Sequence, residues 1–150
     1  MTEQTLTAAD FIQFAKQTQA PLADLFEAIS SANNWQDRYR QLMQGAKLLP
    51  ALPPELQTEA ARVRGCESAA WLYHCQVDGK HLFIADSEAR IVKGLIALLL
   101  HAVNNSDNQT LAQFEPKAYL KQLGLEGQLS PSRSNGLYAL ISRIIELSRG

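Results

Sequence analysis

The stretch Ala69-Ala70-Trp71-Leu72-Tyr73-His74-Cys75-Gln76-Val77-Asp78-Gly79-Lys80-His81-Leu82-Phe83-Ile84-Ala85 sets two strand-like runs on either side of an Asp-Gly pair. Both central residues of a tight hairpin turn need positive φ, which Asp-Gly adopts readily, so the spacing predicts a β-hairpin with strands over 69–77 and 80–85. A two-residue turn also fixes the register: Val77 opposite Lys80, Cys75 opposite Leu82, Tyr73 opposite Ile84 and Trp71 opposite Asp86. Directly opposed residues share a face, so Trp71, Tyr73, Cys75, Leu82 and Ile84 are expected to form one apolar face. Cys75 is then a mid-strand core residue. Residues 62–65 are a possible third strand.

The returning strand delivers Asp86-Ser87 beside the start of the first strand, next to the segment Val63-Arg64-Gly65-Cys66-Glu67-Ser68. Structural cysteines usually sit in apolar runs, whereas Arg64, Gly65, Glu67 and Ser68 suit a loop that a partner can reach. Cys66 is therefore the candidate reactive thiol, with a buried packing cysteine as the alternative. After the hairpin, Asp86 or Ser87 is expected to cap a helix carrying Ile91, Val92, Leu95, Ile96, Leu98, Leu99, Leu100 and Val103. Apolar residues all round it mark a central buried helix. Its positive end, with Arg90 and Lys93 in the first two turns, would favour a nearby thiolate over a thiol of ordinary pKa. Arg90 and Lys93 read equally well as a solvated helix shoulder.

Outward from this centre, helical spacing of Phe11, Ile12, Phe14 and Ala15 predicts a helix over 7–18, with Thr7 as N-cap and Asp10 in the first turn. Pro21 is expected to open a second helix with Leu22, Leu25, Phe26 and Ile29 on one face. A third carries Trp35, Tyr39, Leu42 and Met43, and Pro50, Pro53 and Pro54 end it. Residues 49–56 then form an extended loop pinned by leucines. Residues 110–125 read as one or two short helices broken by Pro116 and Gly124. The last helix starts at Ser130-Pro131-Ser132-Arg133 and carries Leu137, Leu140, Ile141, Ile144 and Ile145. Arg133 alone reads as a surface residue beside a cap.

A chain of 150 residues that is 46% hydrophobic and 19% charged can bury a core and most simply forms one domain over 1–150. With 14 basic and 15 acidic side chains the net charge is -1, so no overall field draws it to nucleic acid or to an anionic membrane. Met1-Thr2-Glu3-Gln4-Thr5-Leu6 lacks the basic start and apolar block of a signal peptide, so a cytoplasmic location is expected. The longest apolar stretch, 94–103, is far short of the ~20 residues that span a bilayer. Nine strand steps at ~3.3 Å separate Cys66 from Cys75, beyond disulfide reach. His74, His81 and His101 lack the short paired spacings of a zinc site, so no metal is assigned.

Motifs spread along the chain resemble the SufE family of sulfur acceptor proteins, from about residue 22 to the C-terminus. They are Leu49-Pro50 with its following prolines, Val63-x-Gly65-Cys66-x-Ser68-x-x-Trp71, Asp86-Ser87, Ile91-Val92-Lys93-Gly94-Leu95, and Ser130-Pro131-Ser132-Arg133-Ser134-x-Gly136-Leu137. The resemblance implies an α+β fold, a small antiparallel sheet packed against several helices. It implies that Cys66 takes persulfide sulfur from a PLP-dependent cysteine desulfurase (SufS- or CsdA-like), stimulates that enzyme, and passes the sulfur to an iron–sulfur scaffold or another acceptor. The PLP belongs to the desulfurase, and no cofactor of the chain's own is implied. Arg64, Gly65, Glu67, Ser68, Asp86 and Arg133 are the loop and partner-contact candidates. Glu67 stands where the SufE branch commonly has glutamine, and Ala70 where a larger aliphatic is usual, which leaves open the CsdE branch and its other sulfur or tRNA-modification acceptors. The rival readings are a cysteine hydrolase, in which a histidine would serve Cys66 as base, and an interaction module in which Cys66 merely packs.

Overall fold

A computed structural model describes residues 6–149. The segment 1–5, on which the reading of the N-terminus mainly rests, lies outside the described residues. The first helix, α1 (Ala8–Ser30), starts with a reciprocal cap: the Thr7 hydroxyl accepts from the Asp10 N–H at 3.3 Å and the Asp10 carboxylate accepts from the Thr7 N–H at 2.8 Å. Two helices meeting at Pro21 were the expectation, but Pro21 lies inside one continuous helix. Proline removes its own N–H and crowds the preceding turn, but Phe11, Phe14, Thr18, Leu22, Leu25 and Ile29 keep an unbroken helical period and are all buried. Burial of that continuous stripe overrides the local break.

Helix α2 (Trp35–Gly45) is capped by Asn34, whose side-chain oxygen accepts from the Asp37 N–H at 2.8 Å. It crosses α3 (Arg90–Val103) closely enough that a Cβ on Gly94 would lie 2.2 Å from the Leu42 carbonyl oxygen. Between α2 and the hairpin, Leu49, Leu52 and Leu56 are buried along an extended segment with a 3-10 turn at Pro54–Leu56, as the leucine spacing implies.

The sheet is the antiparallel pair β1 (Ala70–Val77) and β2 (Lys80–Ser87), in the register that Asp78-Gly79 dictates. Asp78 and Gly79 both take positive φ, 51° and 77°. The expected third strand reduces to one bridge between Arg62 and Trp71, because the chain turns away at Gly65, whose φ is +94°. The single apolar face is also too simple. Leu72, His81, Phe83 and Ala85 on the other face are buried, whereas Tyr73 and Cys75 are half-buried. The cause is that α1 and α3 pack on β2 while α1 and α6 (Pro131–Arg149) pack on β1, so helices cover both faces.

No side chain caps α3, whose N-cap is Ala89. Asp86 and Ser87 were expected to do so, but β2 runs on through Ser87 and leaves both too far ahead of the helix start. Asp86 instead accepts from the Leu52 N–H at 2.8 Å, the Ser87 N–H at 2.8 Å and the Lys93 ammonium at 3.0 Å. It joins the proline-rich segment, the strand end and α3. The apolar residues of α3 are buried nearly all round, as its sequence implies. Short helices α4 (Asn108–Ala112) and α5 (Pro116–Gln122) follow, with Pro116 opening α5 and Gly124, at φ +73°, closing that segment. Together the described residues form an α+β fold of six α-helices and a two-stranded sheet.

Candidate active site at Cys66

Cys66 sits on a loop, 64–68, held firmly at both ends. At the near end Val63 is buried and donates its N–H to the Ala70 carbonyl at 2.8 Å. At the far end the Ala69 N–H donates to Glu88 Oε1 at 3.0 Å, and the Ala69 carbonyl accepts from Ser87 Oγ at 2.8 Å and the Glu88 N–H at 3.0 Å. Between these anchors the chain makes a turn at Arg64-Gly65 and a bend at Glu67-Ser68, with no backbone bond from the loop to the rest of the fold among the described residues. The loop rests on α6. The Cys66 thiol donates to the Gly136 carbonyl at 3.4 Å, and a Cβ on Gly65 would come 3.2 Å from the Cβ of Ala139, one turn along the same helix face.

The half-buried thiol faces a cavity of about 190 Å³ walled by Glu67 and Ser68 of the loop, Ala89, Ile91 and Val92 of the α3 start, and Ser132, Arg133 and Gly136 of α6. The helix after the hairpin does begin beside Cys66, as the register implies. Its effect on the thiol differs from expectation. Burial pushes the Cys66 thiol above its ordinary pKa and outweighs the opposite pull of the Arg62 guanidinium. Lys93 is engaged by Asp86, and Arg90 points out from an exposed position, so neither supplies the positive field expected of them. The resting site favours the thiol over the thiolate.

The structure therefore brings together Cys66, Glu67, Ser68 and Arg133, with Arg64 and Gly65 exposed on the same loop. Asp86 is separate: it is buried and occupied by structural partners. Glu88, Ser132 and Gly136 belong to the site although sequence does not single them out. Glu88 reads there as an ordinary acidic residue before a helix, and nothing local announces its bond to Ala69. Ser132 and Gly136 stand only as letters of the motif that opens the last helix.

No histidine lines the Cys66 cavity. His74 Nε2 lies 2.8 Å from His81 Nδ1, and His81 Nε2 lies 2.5 Å from Asn108 Oδ1. Burial, with His81 beside it, lowers the pKa of His74. His101 packs against Phe26 in a tilted pair with ring centroids 5.0 Å apart, and burial lowers its pKa too. The hydrolase reading needs a histidine within hydrogen-bond reach of Cys66, and none of the three lines its cavity. Cys75 is a second free thiol on the strand, and no group of three His, Cys, Asp or Glu side chains suited to a metal occurs among the described residues. No helix among them is long and apolar enough to cross a membrane.

The family model described as "SufE: Fe-S metabolism associated domain" matches residues 23–148. The chain belongs to the SufE family. Among its SufE-family relatives, "Sulfur acceptor protein CsdE" of Escherichia coli K12 is 47% identical over 116 residues, covering 77% of this chain and 79% of the relative. An uncharacterized SufE-like protein of Rhizobium etli is 34% identical over 131 residues, covering 85% and 88%. The solution structure of a hypothetical protein from Thermus thermophilus superposes with a TM-score of 0.67 at 25% identity, covering 85% of this chain and 93% of that one. That likeness shows that the fold is shared with that structure over most of the chain.

Proposed function

We propose that this protein accepts sulfur from a PLP-dependent cysteine desulfurase onto Cys66 and passes it on for iron–sulfur cluster assembly. The observation that carries the reading is the anchored five-residue loop, 64–68, whose tie to α6 is one weak thiol–carbonyl bond at Cys66. Such a loop can present its thiol to a partner without disturbing Val63 or Ala69.

In the transfer, the Cys66 thiolate attacks the outer sulfur of the desulfurase persulfide. A bond forms between Cys66 Sγ and that sulfur, and the S–S bond of the donor breaks. The donor cysteine leaves as a thiolate and ends with the proton that Cys66 gave up. Because the resting site favours the thiol, Cys66 must leave the Gly136 carbonyl and give up its proton before it attacks. Proximity in the docked complex supplies the rate gain. No cofactor of this chain enters the step, and the PLP is the partner's. Afterwards the loop can fold the persulfide back beside Ile91 and Val92, away from solvent thiols and oxidants.

The 47% identity to a protein named as the CsdE sulfur acceptor favours the CsdE branch as the more specific reading, with onward delivery to another sulfur or tRNA-modification acceptor. Stimulation of the desulfurase tests the core of the proposal. Alanine release by the cognate enzyme should accelerate and saturate with this protein in the presence of reductant, and Cys66→Ser should bind without stimulating. Equal stimulation by both would make the protein an allosteric binder.

A further inference from the structure

The cavity at Cys66 is much larger than one added sulfur requires. About 10–15 Å³ already holds a water molecule, and this cavity is about 190 Å³. Its walls carry one thiol, one carboxylate at Glu67 and one guanidinium at Arg133, together with Ser68, Ser132, Ile91 and Val92. Glu67 and Arg133 form no ion pair with each other or with any other described residue. The start of α3, uncapped, adds its positive end to the same wall. Glu67 is exposed and Arg133 half-buried, so the two unpaired opposite charges stand at the mouth of the cavity, where they fit a ligand that bears both.

We infer that this cavity binds a small zwitterionic persulfide, the hydropersulfide of a free α-amino thiol such as cysteine, and that Cys66 can be loaded from it without a desulfurase. The carboxylate of the donor meets Arg133, its ammonium meets Glu67, its short side chain lies on Ile91 and Val92, and its outer sulfur faces Cys66. The exchange balances without an oxidant or reductant: Cys66 Sγ bonds to the outer sulfur, the donor S–S bond breaks, and free cysteine departs with the proton of the Cys66 thiol. Glu67 and Arg133 act as specificity residues for the carrier. The inference rests on Cys66 being the sulfur-accepting thiol and extends that reading to a second donor class.

The test loads the intact protein with cysteine hydropersulfide and with three analogues carrying the same S–SH group: the cysteine methyl ester, N-acetylcysteine, and N-acetylcysteine methyl ester. The initial rate of gain of one sulfur in the intact mass is followed against donor concentration. Loading by cysteine hydropersulfide should saturate. Each blocked charge should raise the half-saturating concentration about tenfold, the scale of one charge-assisted contact. Arg133→Gln should abolish the penalty for esterification alone, and Glu67→Gln the penalty for acetylation alone. Equal, non-saturating rates for all four donors with the wild-type protein would overturn the inference, and that comparison needs no variant to fold. If a desulfurase still loads Cys66 in that case, the acceptor reading stands. If neither source loads it, the acceptor reading falls as well.

Discussion

The Cys66 thiol donates to the Gly136 carbonyl across 3.4 Å, and burial at the same place raises its pKa above the ordinary value of 9.0. A hydrogen bond given by the protonated form and a desolvated site act in the same direction. Alkylation of Cys66 in the folded protein should therefore keep accelerating with pH beyond the range where free thiols level off. The folded state holds this proton more tightly than the unfolded chain, so its contribution to stability is fully present below the ordinary thiol pKa. It is lost as pH rises through the folded value. Cys66→Ser should remove that alkaline loss in urea titrations. A labelling midpoint below the ordinary value would mean that the start of α3 and its arginine govern the thiol after all.

Glu88 holds the far end of the loop by accepting the Ala69 N–H at 3.0 Å. Replacing it with alanine leaves that amide without its carboxylate partner, a loss of about 1–2 kcal/mol at the hinge. Hydrogen exchange at Ala69 should quicken by about tenfold, and Cys66 labelling should quicken with it. Unchanged exchange at Ala69 would show that the Glu88 carboxylate does not hold the hinge.

Asp86 is a framework residue, although sequence alone offers it as a partner contact. It is 4% exposed and takes hydrogen bonds from Leu52, Ser87 and Lys93. Removing one member of a buried, hydrogen-bonded pair typically costs about 3–5 kcal/mol. Asp86→Ala should lower stability in denaturant titrations by about that amount, while the folded fraction keeps its affinity for the desulfurase. Loss of affinity at unchanged stability would return Asp86 to the docking surface.

Two glycines should respond oppositely to alanine. A Cβ at Gly94 would press to 2.2 Å from the Leu42 carbonyl, so α2 and α3 must separate, whereas one at Gly136 would meet Cys66 Sγ at an ordinary 3.5 Å. Gly94→Ala should destabilise by about 1–3 kcal/mol, and Gly136→Ala should leave the urea midpoint nearly unchanged. Similar midpoints for both would contradict the close α2–α3 crossing.

What the sequence makes legible is local or strongly periodic. Asp78-Gly79 sets the strand register residue by residue, and the apolar run of α3 marks the centre of the core, because turn chemistry and helical period act over a few residues. Tertiary packing accounts for the differences. Pro21 reads locally as a helix start because the stripe that carries α1 through it has value only when buried. Asp86 reads as a cap because its true partners lie 34 residues away at Leu52 and a turn into α3 at Lys93. At the site, the polar flanks place Cys66 on a loop, and its neighbours Glu67, Ser68 and Arg133 do meet around one cavity. The Glu88 anchor and the Gly136 carbonyl stay hidden, since one is a side chain bonded across a turn and the other is a backbone group 70 residues away.

The central claim is that sulfur from a cysteine desulfurase comes to rest on Cys66 and not on Cys75. Intact mass followed by peptide mapping, after brief incubation with a cysteine desulfurase, PLP and L-cysteine and removal of small thiols, measures this directly. The expected result is a gain of one sulfur confined to the peptide bearing Cys66, retained in Cys75→Ala and absent from Cys66→Ser. Sulfur on the Cys75 peptide, or undiminished gain in Cys66→Ser, would contradict the account.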